Sequence, residues 1–192
     1  MNIKTIGKFV ICILLGIIIG VSSAYLTVQQ VSEMFSVSNG PWKVNLLAGS
    51  ESADIYTRAA IALNALFALN KSEAVYFIAK TDSNFRPLKL ECDYRIEGGN
   101  LPARWWSITV YGSDLFLIPN ELDRYSFTST NIKKDGERWT ILLSKEPREG
   151  NWIPLNGEGQ FYLVLRLYNP EKIVYQYPES IDLPEIVLEG CS

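Results

Sequence analysis

Histidine is absent from this chain of 192 residues. Without it there is no Ser-His-Asp or Cys-His triad, no histidine-ligated zinc or iron, and no histidine pH switch. Net charge is also scarce, at −3, which argues against nucleic-acid binding as the main task. Asp82, Asp93, Asp114 and Asp123 lack the spacing of a calcium loop. Neither a glycine-rich phosphate loop nor a nucleophile elbow appears, and no internal repeat is evident. The sequence therefore points to no cofactor and no metal. What it does have is an ordinary globular composition, 47% hydrophobic and 20% charged, enough for one domain with a real core.

Charge is missing altogether between Phe9 and Val28, behind Lys4 and Lys8. Twenty helical residues cover roughly 30 Å, the thickness of a bilayer's hydrocarbon core. Gly16 and Gly20 add a Gly-xxx-Gly spacing, which permits close helix approach. Two readings stay open for residues 1–28. As an uncleaved anchor, the segment leaves its lysines in the cytoplasm and everything after Val28 exported. As a signal peptide, it has an apolar core at 9–21 and a small-residue cleavage site at Ser22-Ser23-Ala24. The continuation through Tyr25, Leu26 and Val28 favours the anchor, and both readings export the folded part. Setting Lys4 and Lys8 aside leaves sixteen basic and twenty-one acidic side chains, about −5 for the exported portion.

Of three cysteines, Cys12 falls in the apolar segment. Cys92 and Cys191 belong to the exported part, where an oxidising compartment permits their pairing. The alternative is two separate buried thiols.

Residues 29–52 read as a connecting segment, with a turn at Asn39-Gly40-Pro41 and a short strand through Trp42, Val44 and Leu46. Ser50, Glu51, Ser52 and Asp54 offer helix caps. Ile55, Ala59, Ala62, Leu63, Leu66 and Leu69 then recur at helical spacing, so a helix is expected over 53–70, its apolar stripe needing a sheet or partner to cover it. From residue 74 the period becomes two. Leu88, Leu90, Cys92, Tyr94 and Ile96 alternate with charged residues; Trp106, Ile108 and Val110 alternate with Trp105, Ser107, Thr109 and Tyr111. Glu97-Gly98-Gly99-Asn100 reads as a turn. Strands are also expected in the short apolar run Leu115–Ile118, at Trp139–Leu143 behind the Asp135-Gly136 turn, and from Phe161 to Tyr168. The expected fold is mainly β, an antiparallel jelly-roll-like sandwich with one prominent helix, occupying 53–192.

Several stretches carry a family resemblance: Pro102-Ala103-Arg104-Trp105-Trp106-Ser107-Ile108-Thr109-Val110-Tyr111, Asn120, Arg124-Tyr125-Ser126, the strand around Trp139, Asn151-Trp152-Ile153-Pro154, and Arg166-Leu167-Tyr168-Asn169-Pro170. In order and spacing they resemble the domain of unknown function 1214 family, with a family-like core at 74–172. Small single-domain members with an N-terminal membrane segment are the nearest likeness. Larger relatives add a second domain of unknown function, numbered 1254, which is missing here. The resemblance implies a jelly-roll-like sandwich and supplies no catalytic residues.

For chemistry, the second face of the 104–111 strand stands out. Trp105 and Tyr111, joined by Arg166 and Tyr168 from the last long strand, offer aromatic plates and polar tips suited to sugars or other flat amphipathic ligands. The plain alternative is ordinary packing. Arg104, Arg124 and Arg166 are candidates for an anionic ligand through their planar forks, unless they pair with local carboxylates such as Asp114, Glu121 or Asp123. Asn151 to Pro154 reads as a turn pinned by a buried tryptophan. The sequence thus suggests a membrane-anchored cell-envelope protein, tethered to the inner membrane with its folded domain on the periplasmic or extracellular side. It would be a non-catalytic ligand-binding or assembly module, partnered by a small amphipathic ligand, a glycan or an envelope protein. The alternative is a carboxylate-dependent hydrolase, which needs no histidine.

Overall fold

The computed structural model describes residues 3–34, 36–50, 53–63 and 69–191. Its first element, α1 (Ile3–Met34), is one continuous helix. The stretch Thr5–Val28 is long and apolar enough to span a membrane and is not buried against the rest of the chain. Beyond Val28 the helix runs six residues further, then enters a hairpin, β1 (Ser36–Asn39) and β2 (Trp42–Asn45), turned by Gly40 at φ 57°. This hairpin lies in the stretch read from sequence as connecting segment. It pairs onto the body through β3 (Ala74–Ala79).

Two sheets make up that body. One has the order β1-β2-β3-β10-β5-β6, with β5 (Ala103–Gly112), β6 (Ser126–Thr128) and β10 (Phe161–Pro170). The other has the order β11-β4-β8-β7, with β4 (Cys92–Gly98), β7 (Lys134–Asp135), β8 (Arg138–Ser144) and β11 (Glu185–Cys191). Neighbours are antiparallel apart from β9 (Trp152–Pro154), which runs parallel to β8. The expected mainly β fold with two antiparallel sheets is what the chain adopts.

Alternation explains how the core is filled. Along 88–97 every even-numbered residue is buried and every odd one is intermediate or exposed, although the ladder itself begins only at Cys92. Trp106, Ile108 and Val110 of β5 and Phe161, Leu163, Leu165 and Leu167 of β10 turn inward against Tyr94, Ile96, Trp139, Ile141 and Leu143. Across the gap Tyr94 meets Phe161 edge-on at 5.6 Å, and the Trp106 and Trp139 rings lie 4.8 Å apart. The Trp139 indole also lies across its own cross-strand partner, Gly98, where an added Cβ would fall 2.3 Å from Cζ2. Gly98 is therefore the end of a strand rather than part of a free turn.

The C-terminal segment folds back over the N-terminal hairpin. Trp42 donates from Nε1 to the Pro184 carbonyl at 2.8 Å, and the Asn39 amide donates to the Pro178 and Ile181 carbonyls. Edge strand β11 then brings Cys191 directly opposite Cys92, and the two form a disulfide.

Two expectations are corrected. The helix expected over 53–70 is α2 (Ile55–Leu63), with residues 64–68, and so Leu66, outside the described residues. Asp54 caps it, its carboxylate accepting from the Tyr56 and Thr57 amides and the Thr57 hydroxyl. The side it buries is that of Thr57 and Ala60, whereas Ile55, Ala62, Leu63 and, beyond the helix, Leu69 are exposed. Periodicity identified the helix and not the direction its stripe points. Nor is Leu115–Ile118 a strand. It is a loop with Leu115 at φ 68°, Phe116 and Leu117 exposed, and only Ile118 buried. The Gly112 amide donates to the Phe116 carbonyl, turning the run back on β5 before it can pair further.

Candidate functional site

The outer face of the six-stranded sheet is built on β10, which lies between β3 and β5. Registry places outward side chains in rows. Arg166 is opposite Tyr76 on one side and Ser107 on the other, Tyr168 is opposite Ala74 and Trp105, Val164 is opposite Ile78 and Thr109, and Tyr162 is opposite Tyr111. The structure thus brings Trp105, Tyr111, Arg166 and Tyr168 onto one face. Arg104 is not with them. It shares the parity of inward-pointing Trp106 and is exposed at the start of β5.

Within the face, Arg166 is held by several contacts. One guanidinium nitrogen donates to the Tyr111 hydroxyl at 2.9 Å and the other to Thr109 Oγ1 at 3.3 Å. The guanidinium carbon sits 5.3 Å from the Tyr111 ring centre and 6.0 Å from that of Tyr76, within cation–π range. Trp105 packs edge-on against Tyr168 at 5.1 Å, and the Lys80 ammonium lies 5.1 Å above the Tyr162 ring. Ser107, Thr109 and Val164 are small enough to be buried among these larger neighbours, which stay half-buried. Burial pushes the Tyr76 hydroxyl above its ordinary pKa, opposed by a backbone hydrogen bond from Leu69 and by the Arg166 charge.

Arg166 makes no ion pair with a carboxylate among the described residues. Arg86, Arg95 and Arg148 do, with Asp82, with Glu97 and Glu189, and with Asp93. A guanidinium has five N–H donors, and the two hydrogen bonds above leave Arg166 with spare ones. Chemically, such a face can grip a flat molecule by its rings and its oxygen acceptors together.

The other sequence candidates serve as braces. Arg124 donates to the Trp152 carbonyl at 3.1 Å, and the Asn120 side chain ties its own loop through the Ile118, Leu122 and Arg124 backbone. Asn151 is buried, accepting from the Lys133 amide and donating to the Lys133 and Thr140 carbonyls, each at 2.8 Å. Trp152 is buried, with its Nε1 donating to Ser144. Sequence reasoning missed Tyr76, Tyr162 and Lys80. Alternation along 74–79 would have turned Tyr76 outward, but only the sheet order says that β3 lies beside β10.

An open depression of about 230 Å³ lies elsewhere, between Leu90, Gly112, Asp114, Phe116, Ile118 and Gln160. It shares no residue with the aromatic face. No group of three or more metal-ligating side chains comes together among the described residues. Asp54 and Glu91 both have carboxyls held below the ordinary range, Asp54 chiefly by the Thr57 hydroxyl and Glu91 by the Gly159 amide.

Comparison with known proteins adds a family and a fold. Residues 73–172 match the model of a family described as Protein of unknown function (DUF1214). Among solved structures, the VPA0106 protein from Vibrio parahaemolyticus is similar, with a TM-score of 0.59 and 26% identity over 69% of this chain and 34% of that one. A putative uncharacterized protein from Burkholderia cenocepacia matches at a TM-score of 0.40 and 16% identity, covering 60% and 29% of the two chains. This chain thus spans about a third of the length of either. None of the curated proteins matches.

Proposed function

The chain belongs to the DUF1214 family, and for this member we propose a non-catalytic binding module of the cell envelope, anchored by α1 in the cytoplasmic membrane with its β body on the far side. Lys4 and Lys8 ahead of the apolar stretch support that orientation. The Cys92–Cys191 disulfide supports an oxidising compartment. The ligand is a flat, amphipathic molecule rich in oxygen acceptors, a glycan first among them, lying on the outer face of the six-stranded sheet.

One observation carries this reading: Arg166, set between Tyr76 and Tyr111, has spare donors and no carboxylate partner among the described residues. Arginine stacked on aromatic rings keeps its fork pre-organised, so little freedom is lost when a ligand oxygen arrives. The test is a tryptophan-fluorescence titration of the full chain in detergent against neutral and uronic oligosaccharides, with Trp105 as the local reporter. A saturable change that persists in Arg104→Ala and disappears in Arg166→Ala, with both variants folded, is the expected result. Silence of the folded wild type across the panel overturns the reading.

A further inference from the structure

The nine residues of α2 leave their apolar stripe exposed. At 3.6 residues per turn, Ile55, Tyr56, Ala59, Ala62 and Leu63 fall within about 120° of one another. Ile55 is 76% exposed, Tyr56 46% and Leu63 57%, while Thr57 at 0% and Ala60 at 5% face inward. A soluble protein turns such a helix the other way. Arg58, on the flank, directs its Nε back to the Ala53 carbonyl at 2.8 Å.

The position of α2 indicates what covers the stripe. The helix packs against α1. Side chains 5–27 of α1 are exposed, and Val28 is the first to lose part of its exposure, so the contact falls at the end of the stretch long enough to span a membrane. From Val28 to Met34 the helix rises about 9 Å, little more than the roughly 5–8 Å depth of a headgroup layer. Packed against a helix long enough to span a membrane, and carrying a tyrosine of the kind enriched at interfaces, the stripe is placed beside the lipid that α1 would cross.

We infer that α2 lies in the interfacial layer of the bilayer that α1 crosses, its Ile55–Leu63 stripe embedded beneath the headgroups as a second, in-plane contact. This rests on the membrane anchoring proposed above. The attraction is apolar burial, since the exported portion is acidic overall and offers anionic lipid no net pull. Two contacts, one through the membrane and one along it, fix the tilt of the sandwich over the surface.

The full chain, with Cys12→Ser to remove the free thiol, is reconstituted in phosphatidylcholine nanodiscs at one copy per disc. A nitroxide is attached in turn at Ile55→Cys, Leu63→Cys, Ile17→Cys and Glu149→Cys. Collision with dissolved oxygen is compared with collision with an aqueous nickel chelate. The inference expects positions 55 and 63 to lose nickel access and gain oxygen access relative to 149, approaching position 17. If 17 is shielded while 55 and 63 match 149, the inference is overturned and the anchor stands. Nickel access at 17 overturns the anchoring itself. Shielding of 55 and 63 only in discs holding two copies assigns the stripe to a second chain and also overturns the inference.

Discussion

Gly98→Ala tests the packing argument at its tightest point. The new methyl would stand 2.3, 2.5 and 2.8 Å from Cζ2, Cη2 and Cε2 of Trp139, where carbon pairs rest at about 3.5–4.0 Å. The indole must therefore retreat by more than about 1 Å. It has nowhere to go: the side chain is 2% exposed, Trp106 lies against it, and its Nε1 donates to the Gly99 carbonyl at 2.7 Å. Overpacking of this kind costs about 1–3 kcal/mol. Losing the indole hydrogen bond adds about 0.5–1.5 kcal/mol, so the variant should be destabilised by about 2–4 kcal/mol. In a domain of this size that lowers Tm by roughly 5–15 °C. Thermal unfolding of the full chain in detergent, followed by near-ultraviolet circular dichroism, reads both the Tm and the disturbed tryptophan pair. The adjacent Gly99→Ala is the control, because its nearest neighbour, the Glu137 carbonyl oxygen, is at an ordinary 3.9 Å; its effect should stay within about 0.5 kcal/mol. In a Trp139→Phe background, where the clashing part of the ring is gone, Gly98→Ala should cost much less. Equal Tm values for the two glycine variants, or an undiminished cost in the phenylalanine background, would refute the reasoning.

Replacing both Cys92 and Cys191 by alanine releases a cross-link spanning 99 residues of sequence, worth up to about 4–5 kcal/mol in loop entropy; a Tm fall of roughly 10–20 °C is expected, and an unchanged Tm would show that the bridge does little for stability. Asn151→Ala leaves the Lys133 amide and the Lys133 and Thr140 carbonyls without their partner, a loss of about 3 kcal/mol; Asn151→Asp should be at least as damaging, because a carboxylate cannot donate to two carbonyls, and a mild aspartate variant in the same melt contradicts this. Burial raises the pKa of the Tyr94 hydroxyl, which accepts from the Lys89 amide. The unfolded chain ionises first, near 10.0, so stability is full below that pH and declines above it towards the raised folded value. Tyr94→Phe should flatten the alkaline part of a stability–pH curve, and an equally steep variant would sink the assignment.

Much of the sheet architecture was legible because one face of each long strand is wetter than the other. Leu88 to Ile96 announces its inward side chains without ambiguity, and so does the 106–110 set. Sheet order was not legible, because alternation says which way a side chain points and nothing about which strand lies alongside. For that reason the candidate face acquired Tyr76 and lost Arg104 once registry was known. Edge strand β11 buries only Ile186, too little alternation to see in advance. Gly98 read as half of a glycine pair in a turn, whereas its value lies in the room it leaves for a ring forty-one positions later. Helical spacing in 55–63 was visible, but a stripe of that kind looks the same whether a sheet or a bilayer covers it.

The stitching of the C-terminal stretch onto the first hairpin, Pro184 to Trp42 and Cys191 to Cys92, has a bearing on biogenesis. A ribosome makes the hairpin at 36–45 well before the strand that clasps it, so a nascent chain that stops short of residues 185–191 cannot seat the closing edge or oxidise its bridge. An unfinished sandwich must be kept from sticking to itself until Cys191 has been made, and chains cut short ahead of Glu185 should be cleared by quality control rather than accumulate.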